Sequence, residues 1–315
     1  SKMIYKKRTR VFLYLEILLI IIVIIILGIE AFFYFSIKEM VNLQKKPLNI
    51  DLKSLLIDYI NVELKNGDGE KLLGWLLHNK KSSNKVVLML PGYGSNKAEL
   101  VNLASKIYDL GYSVLLMDLR GQGESDGEGT TFGLQEKEDI ISILTYLVND
   151  NRLKANNIAI WADDISAYAS LLALEKFPQV RLLMLNNVFP EPLSYIKSKL
   201  SLPFQVSDFI IDYIVSQNLK LLINEGPKSY NLKNILPIIK GKTIIFFKTD
   251  DPRCNFVKSL YDVAPERKEL IILKEVGTQA LNASDWEEYY KLIEEKLNTY
   301  FSLSEQQPVI SLTNE

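Results

Sequence analysis

Histidine is almost absent from this sequence, which has one, His78, among 315 residues. Imidazole is the side chain that most readily exchanges protons near neutral pH. A reaction that relies on a histidine base must therefore use His78, and a reaction that needs two histidines is excluded. His78 follows the predicted strand of residues 71–77, and we interpret it as a surface residue at the end of that strand.

The sequence also has only one cysteine and a net charge close to zero. The single cysteine, Cys254, cannot form an intramolecular disulfide, and the usual zinc sites of several cysteines and histidines cannot be assembled. The 37 basic and 38 acidic residues leave a formal net charge of −1, so no global positive field attracts nucleic acid. We predict no nucleic-acid partner, no cofactor and no metal site.

Residues 11–37 form a long, almost wholly apolar segment. At ~1.5 Å per helical residue, this segment is long enough to cross the ~30 Å hydrocarbon core of a bilayer. A cleavable signal peptide is the competing interpretation, but no pattern of small residues follows the segment. Basic residues precede it more densely than they follow it, which places residues 1–10 in the cytoplasm. We predict a single-pass membrane protein with an extracytoplasmic folded domain.

Glu30 lies inside the predicted membrane helix, where an ionised carboxylate is costly. Two interpretations stay open: Glu30 binds a polar group of a membrane-protein partner, or it is solvated near the membrane interface. Residues 38–54 are polar and include Pro47, which suits a short stalk between membrane and domain.

Short apolar runs alternate with longer amphipathic stretches after the stalk. Such runs, separated by helices, indicate an α/β domain with a doubly wound, mostly parallel sheet that binds ligands at the carboxyl ends of its strands. We assign this domain to residues 55–302 and a flexible tail to residues 303–315. The predicted strands are an opening hairpin at 59–64 and 71–77, then 86–90, 114–117, 158–161, 182–185, 243–247 and 270–273.

Two loops after predicted strands carry a resemblance to a known family. Residues 90–95 (LPGYGS) are similar to the His-Gly-x-Gly turn, and residues 118–125 (DLRGQGES) to the Asp-x-Arg-Gly-His-Gly-x-Ser segment, of the α/β-hydrolases. The nearest type is the membrane-anchored serine hydrolase of the serine-aminopeptidase or lipase-like kind. The resemblance implies an α/β-hydrolase fold with a small helical cap at about 190–240 and an oxyanion-hole N–H group from Tyr93.

The nucleophile elbow of this family, Gly-x-Ser-x-Gly, corresponds to residues 162–166 (ADDIS). Counted from the end of the strand, the resemblance places Asp164 at the nucleophile position and gives Ile165 the second oxyanion-hole N–H group. A rival register makes Ser166 the nucleophile, but it puts Asp164 and Tyr168 where small residues are needed.

The resemblance also assigns the two other positions of the catalytic triad. Asp251, in the loop of residues 248–252, takes the acid position. The histidine position falls on Gln279, or on Thr278 when the loop is aligned on Gly277. Neither an amide nor a hydroxyl exchanges protons readily near pH 7.

We therefore predict a catalytically inactive pseudoenzyme that acts as an interaction or ligand-binding subunit at the outer membrane face. An active hydrolase is the alternative, because haloalkane dehalogenases and epoxide hydrolases use an aspartate nucleophile. A Ca²⁺ or Mg²⁺ site at the carboxylates is a third interpretation. Residues 204–222 of the cap are amphipathic and aromatic, so they either cover the pocket or offer an apolar face to lipid or to a partner helix.

Overall fold

The computed structural model describes residues 2–50, 58–81, 84–200, 202, 206–224, 230–284 and 286–304, with side chains described between residues 12 and 300 of these ranges. One eight-stranded sheet forms the centre of the domain. Its strands are β1 (Ile60–Lys65), β2 (Lys71–Leu77), β3 (Lys85–Leu90), β4 (Ser113–Met117), β5 (Asn157–Asp163), β6 (Val180–Asn186), β7 (Thr243–Thr249) and β8 (Lys268–Leu273).

The strands follow the order β1-β2-β4-β3-β5-β6-β7-β8 across the sheet. β1 and β2 form the predicted antiparallel hairpin, and β2 is also antiparallel to β4. The strands from β3 to β8 run parallel to one another. The central strands bury nearly every side chain because helices cover both faces of the sheet. The predicted doubly wound, mostly parallel sheet is confirmed.

Alternate side chains of each strand supply two apolar layers. The helices around the sheet are α1 (Lys2–Val41), α2 (Val101–Asp109), α3 (Glu136–Asn149), α4 (Asp164–Ala173), α5 (Pro192–Lys199), α6 (Asp208–Ile223), α7 (Leu232–Ile235), α8 (Phe256–Val263), α9 (Gly277–Leu281) and α10 (Trp286–Ser304). Val86 and Leu88 of β3 belong to the layer beneath α3 and α4, whereas Val87 and Met89 belong to the layer beneath α2 and α10.

The N-terminal helix α1 is longer than the predicted segment of residues 11–37, and a 30-residue portion of it, Phe12–Val41, is apolar enough to cross a membrane. Its last turns are part of the domain rather than the start of a free stalk, because Phe33 and Ile37 are fully buried in the main apolar core. Residues 42–50 follow without regular structure and are held to the domain, where Asn96 Nδ2 donates to the carbonyl of Lys46 at 2.9 Å. Residues 51–54 of the predicted stalk lie outside the described residues.

The predicted cap contains α5, α6 and α7, and α6 packs against both α5 and α1. The predicted amphipathic stretch corresponds to α6, although residues 203–205 lie outside the described residues. At the other end of the chain, α10 continues through Ser304, beyond the predicted boundary at residue 302. Residues 305–315 of the predicted flexible tail are outside the described residues.

Candidate functional site

A sharp turn joins β5 to α4 at Asp164. The strand continues two residues beyond its predicted end, to Asp163, and the helix begins at the next residue. Asp164 has a φ of 32°, a left-handed conformation that is strained for a residue with a side chain. This is the geometry of a nucleophile elbow, which lifts one side chain above the carboxyl edge of the sheet. Asp164 occupies the raised position.

The carboxylate of Asp164 is bound by three donors. Its Oδ1 accepts the backbone N–H of Tyr93 at 2.8 Å and the backbone N–H of Ile165. Its Oδ2 accepts the hydroxyl of Tyr195, from α5, at 3.1 Å. The two N–H groups that the resemblance assigned to an oxyanion hole therefore converge on an oxygen of the chain itself. A negatively charged atom of the elbow residue stands where a reacting carbonyl oxygen would have to bind.

Aromatic rings cover this carboxylate. The ring of Tyr195 lies 4.6 Å from that of Phe189, 6.0 Å from that of Tyr93 and 6.1 Å from that of Phe132, measured between centroids. Burial, reinforced by the charge of Asp164, raises the pKa of Tyr93 to about 12 and raises the pKa of Tyr195 well above its ordinary value. Both phenols therefore stay protonated, and Tyr195 remains a donor to Asp164.

Asp163 is a second, deeper carboxyl at the elbow. Its side chain is buried, and Oδ2 accepts the backbone N–H of Thr278 at 2.8 Å. Burial and, second, the neighbouring charge of Asp164 raise the pKa of Asp163 to about 7. Gly92 lies against both carboxyls, since a Cβ at that position would be 3.0 Å from Asp164 Oδ1 and 3.1 Å from Asp163 Oδ2. A side chain at this position would press against both carboxyls.

The loop before α9 reaches the elbow through Gly277 and Thr278 rather than through Gln279. A Cβ at Gly277 would collide with the Asp163 carboxyl, and Gly277 has a φ of 63°. Thr278 is buried at this contact, whereas Gln279 is exposed on the next position of the helix. Of the two residues that the sequence left open for the histidine position, Thr278 is the one beside the elbow. Gln279 is directed away from it.

Asp251 binds its own loop. Its carboxylate binds Arg253, with Oδ2 2.7 Å from Nη2 and Oδ1 2.8 Å from the backbone N–H of the same residue. Hydrogen bonds from the Arg253 side chain hold the pKa of Asp251 below its ordinary value. Among the described residues, no hydrogen bond or ion pair joins Asp251 or Gln279 to Asp164. The residues at the nucleophile, acid and histidine positions are therefore not linked by hydrogen bonds in the described part of the chain.

The structure also locates Ser166, the rival nucleophile, and His78, the single histidine. Ser166 is fully buried and donates its hydroxyl to the carbonyl of Pro91, so it cannot meet a substrate. His78 follows β2, whose last residue, Leu77, pairs with Val114 near the beginning of β4. That register places His78 at the amino edge of the parallel strands, opposite the elbow, as its position in the hairpin predicted.

A buried polar network that the sequence did not reveal holds the elbow in place. Asn186, at the end of β6, donates to the carbonyl of Ala162 at 3.0 Å and accepts the N–H of Gly277 at 3.2 Å. Its Oδ1 also accepts the hydroxyl of Tyr289 at 2.6 Å, and Trp161 Nε1 donates to that hydroxyl at 2.9 Å. A polar residue at the carboxyl end of an apolar strand was the available sequence sign.

The end of α1 contacts the same site. The hydroxyl of Tyr93 donates to the backbone carbonyl of Met40 at 3.0 Å, and the N–H of Thr130 donates to the carbonyl of Val41 at 2.9 Å. Further along the same helix, Glu30 accepts a hydrogen bond from Asn218 of α6 at 3.4 Å. The predicted membrane helix is thus joined both to an oxyanion-type N–H residue and to the cap.

A metal site is not built at the elbow. Within the described ranges, no group of three or more His, Cys, Asp or Glu side chains could hold a metal ion. Two surface cavities of about 450 and 470 Å³ lie elsewhere, one beside β8 and α10 and the other around Arg120 and Glu138. Neither is lined by Asp164.

Comparison with solved structures identifies the fold. An esterase of Pyrococcus furiosus, Pf2001, is 22% identical with a TM-score of 0.64, covering 83% of this chain and 98% of the esterase. The α/β hydrolase GrgF of a Penicillium species is 20% identical with a TM-score of 0.59, covering 78% of this chain and 99% of GrgF. This chain has the α/β-hydrolase fold. The similarity extends over nearly the whole of both enzymes.

Curated relatives match shorter parts of this α/β-hydrolase-fold chain. The thiohydrolase apmlB of Arthrinium phaeospermum is 29% identical over 137 residues, which are 42% of this chain and 44% of the thiohydrolase. A multifunctional-autoprocessing repeats-in-toxin protein of Vibrio vulnificus is 37% identical over 98 residues, 2% of its own length. The chain therefore spans less than half of each of these relatives. No family model matches the sequence.

Proposed function

We propose that this chain is a membrane-anchored α/β-hydrolase-fold protein without hydrolytic turnover, which acts by binding, as an interaction or ligand-binding subunit at the outer face of a membrane. The observation that carries the proposal is the position of Asp164 Oδ1, which accepts both the Tyr93 and the Ile165 N–H groups. A substrate carbonyl would have to displace a charged oxygen from both donors, and such bonds contribute ~1.5–3 kcal/mol each.

The proton relay supports the same conclusion. A serine or aspartate nucleophile needs a base that activates it or the water that follows it. Thr278 is the residue beside the elbow at the histidine position, and a hydroxyl cannot serve as that base near pH 7. His78 lies at the opposite edge of the sheet.

Anchoring through α1 is part of the proposal. Phe33 and Ile37 are fully buried against the domain, and Met40 accepts a hydrogen bond from Tyr93. Removing α1 as a signal peptide would expose this apolar surface, so we propose that α1 is retained and spans the membrane. The basic residues before position 11 support a cytoplasmic N-terminus and an extracytoplasmic domain.

Turnover assays on the full chain in lipid nanodiscs test the proposal. We expect no hydrolysis of p-nitrophenyl acetate or butyrate above the Asp164→Ala variant and no labelling by a fluorophosphonate probe. Asp251→Ala serves as the comparison variant, because its carboxylate binds Arg253 and, among the described residues, forms no hydrogen bond with Asp164. Turnover that Asp164→Ala abolishes would overturn the proposal, whether or not Asp251→Ala preserves it.

A second candidate function rests on Asp163. A buried carboxyl with a pKa near 7 beside Asp164 has the properties of a general base or acid, which an aspartate-nucleophile hydrolase requires. In that mechanism an Asp164 oxygen bonds to the substrate carbon as chloride leaves, and Asp163 then activates water to release the ester. Incubation of the Asp163→Asn variant with a chloroalkane, followed by mass spectrometry of the peptide that contains Asp164, distinguishes the two candidates, because the ester would persist once the Asp163 base is removed. A covalent alkyl adduct in this variant supports the second candidate, and an unmodified peptide supports the first.

A further inference from the structure

Helix α6 of the cap carries an apolar row along its outer side. Phe209, Tyr213 and Leu221 are 80%, 59% and 73% exposed, and with Gln217 they recur at every fourth position along the helix. Residues spaced by four lie on one face of an α-helix. Ile210 widens the row at its N-terminal end and is also exposed. The opposite face, with Ile211, Ile214, Val215 and Leu219, is buried in the domain.

The position of α6 relative to α1 fixes where this row lies. The two helices pack against each other, and Asn218 of α6 donates a hydrogen bond to Glu30 of α1. Residues 11–29 of α1 cover ~28 Å at ~1.5 Å per residue, which is close to the thickness of the hydrocarbon core. Arg10 precedes that stretch, Glu16 is the charged residue within it, and Glu30 follows it. Beyond Glu30 the helix enters the domain, because Phe33 and Ile37 are fully buried there. Asn218 therefore lies at the level where α1 leaves the bilayer.

Charge at the N-terminal end of α6 does not oppose contact with lipid. Asp208 and Asp212 flank the first part of the apolar row, and Lys197 of α5 pairs with both, at 3.1 and 2.6 Å. The ion pairs reduce the charge that the row would carry towards a membrane surface. Phenylalanine and tyrosine are also the side chains that favour the interfacial layer of a bilayer.

We propose that the apolar row of α6, defined by Phe209, Ile210, Tyr213 and Leu221, inserts into the membrane leaflet from which α1 emerges. The cap then lies on the bilayer, and α1 and α6 together fix the orientation of the domain. The occupant of the row is lipid rather than a second copy or another protein, because α6 packs against the proposed membrane helix and Asn218 binds Glu30, where that helix leaves the bilayer. The inference rests on the proposed spanning of the membrane by α1.

Spin labels on the full chain in phosphatidylcholine nanodiscs test the insertion. In a Cys254→Ser background, single cysteines replace Phe209, Tyr213 or Leu221, and collision rates with oxygen and with a water-soluble nickel chelate are compared. Oxygen concentrates in lipid and the chelate in water. We therefore expect the ratio of the oxygen to the chelate collision rate to be higher at all three positions than at a water-exposed control position. Ile272, 56% exposed on the edge strand β8, is the matched control and should keep a low ratio.

Three outcomes separate the alternatives. A ratio at the α6 positions equal to that at Ile272 overturns the inference. Low collision rates with both reagents, together with spectral broadening that disappears when labelled chains are diluted with unlabelled ones, also overturn it and assign the row to a second copy. A label at Leu19 tests separately whether α1 spans the membrane. A low oxygen-to-chelate ratio at Leu19 means that α1 does not span the bilayer. A high ratio at Leu19 together with a low ratio on α6 refutes only the insertion of the α6 row.

Discussion

Replacing Asp163 by asparagine should change the pH dependence of stability. In the folded protein, burial and Asp164 raise the pKa of Asp163 from an ordinary 3.8 to about 7. Between these two values the folded state binds a proton that the unfolded state releases, so the free energy of unfolding decreases as pH rises. Each pH unit contributes ~1.4 kcal/mol, which makes about 4 kcal/mol the upper limit of the loss between pH 4 and pH 7.

Asparagine has nearly the same shape and no titrating proton. Its oxygen can accept the N–H of Thr278, and its amide can donate towards Asp164. Asp163→Asn should therefore have the same stability as the wild type near pH 4 and a higher stability, by up to a few kcal/mol, at pH 8. The full chain in nanodiscs is melted at half-unit intervals from pH 4.5 to 8, and the midpoint is followed by near-ultraviolet circular dichroism.

Asp251→Asn provides the matched control for this experiment. Its carboxylate is exposed and paired with Arg253, and its pKa is lowered, so it stays ionised in both states throughout the measured interval. We expect the wild type and Asp251→Asn to lose thermal stability with the same slope as pH rises, and Asp163→Asn to show a smaller slope. Equal slopes for all three proteins would refute the assignment of a raised pKa to Asp163.

Two further substitutions test the site. Gly277→Ala should destabilise the protein by about 3 kcal/mol or more, because a left-handed φ alone costs ~1–2 kcal/mol and the new Cβ also collides with Asp163. Gly241→Ala, with a φ of 70° and no atom near the new Cβ, should cost only the backbone part; similar losses of melting temperature for the two variants would contradict the collision. Asp164→Ala should lower the free energy of unfolding by ~2 kcal/mol or more, since charge-assisted hydrogen bonds are lost, whereas Asp164→Asn should lose less; a neutral or stabilising Asp164→Ala would show that the carboxylate has no structural role.

The sequence predicted the sheet from local patterns, because runs of apolar residues identify the strands. The resemblance to the α/β-hydrolases, counted from the strand end, placed the elbow at residues 162–166. It also gave Tyr93 and Ile165 as the residues that contribute N–H groups there. What it could not give is the direction of a side chain, and so the contact between these N–H groups and Asp164 itself was not predicted.

Asp251 could either take the acid position of a catalytic triad or bind residues of its own loop, and its place in the sequence does not decide between these two roles. Asp-Pro-Arg is a local capping pattern in which the aspartate accepts the N–H two residues later and pairs with the arginine. These local bonds engage both oxygens of the carboxylate. At the last loop, one residue of register separates Thr278 from Gln279, and only the fit of Gly277 against Asp163 selects between them.

The contact between α1 and the domain could not be predicted, because α1 is apolar on every side. In a helix that is apolar on every side, no periodic pattern distinguishes the face that meets lipid from the face that meets protein. Phe33 and Ile37 therefore look like their neighbours in the sequence, although they are fully buried. Glu30 was the exception, and its partner in the structure is Asn218 of the same chain.

The replacement of a serine by an aspartate at the elbow alters more than the nucleophile. A serine hydroxyl extends one atom beyond Cβ and leaves the neighbouring N–H groups open to a substrate oxygen. A carboxylate is longer and charged, and at Asp164 it reaches back to the N–H groups of Tyr93 and Ile165. The strained turn is then held by its own side chain, and under the proposed binding function these N–H donors stabilise the ground state rather than a transition state.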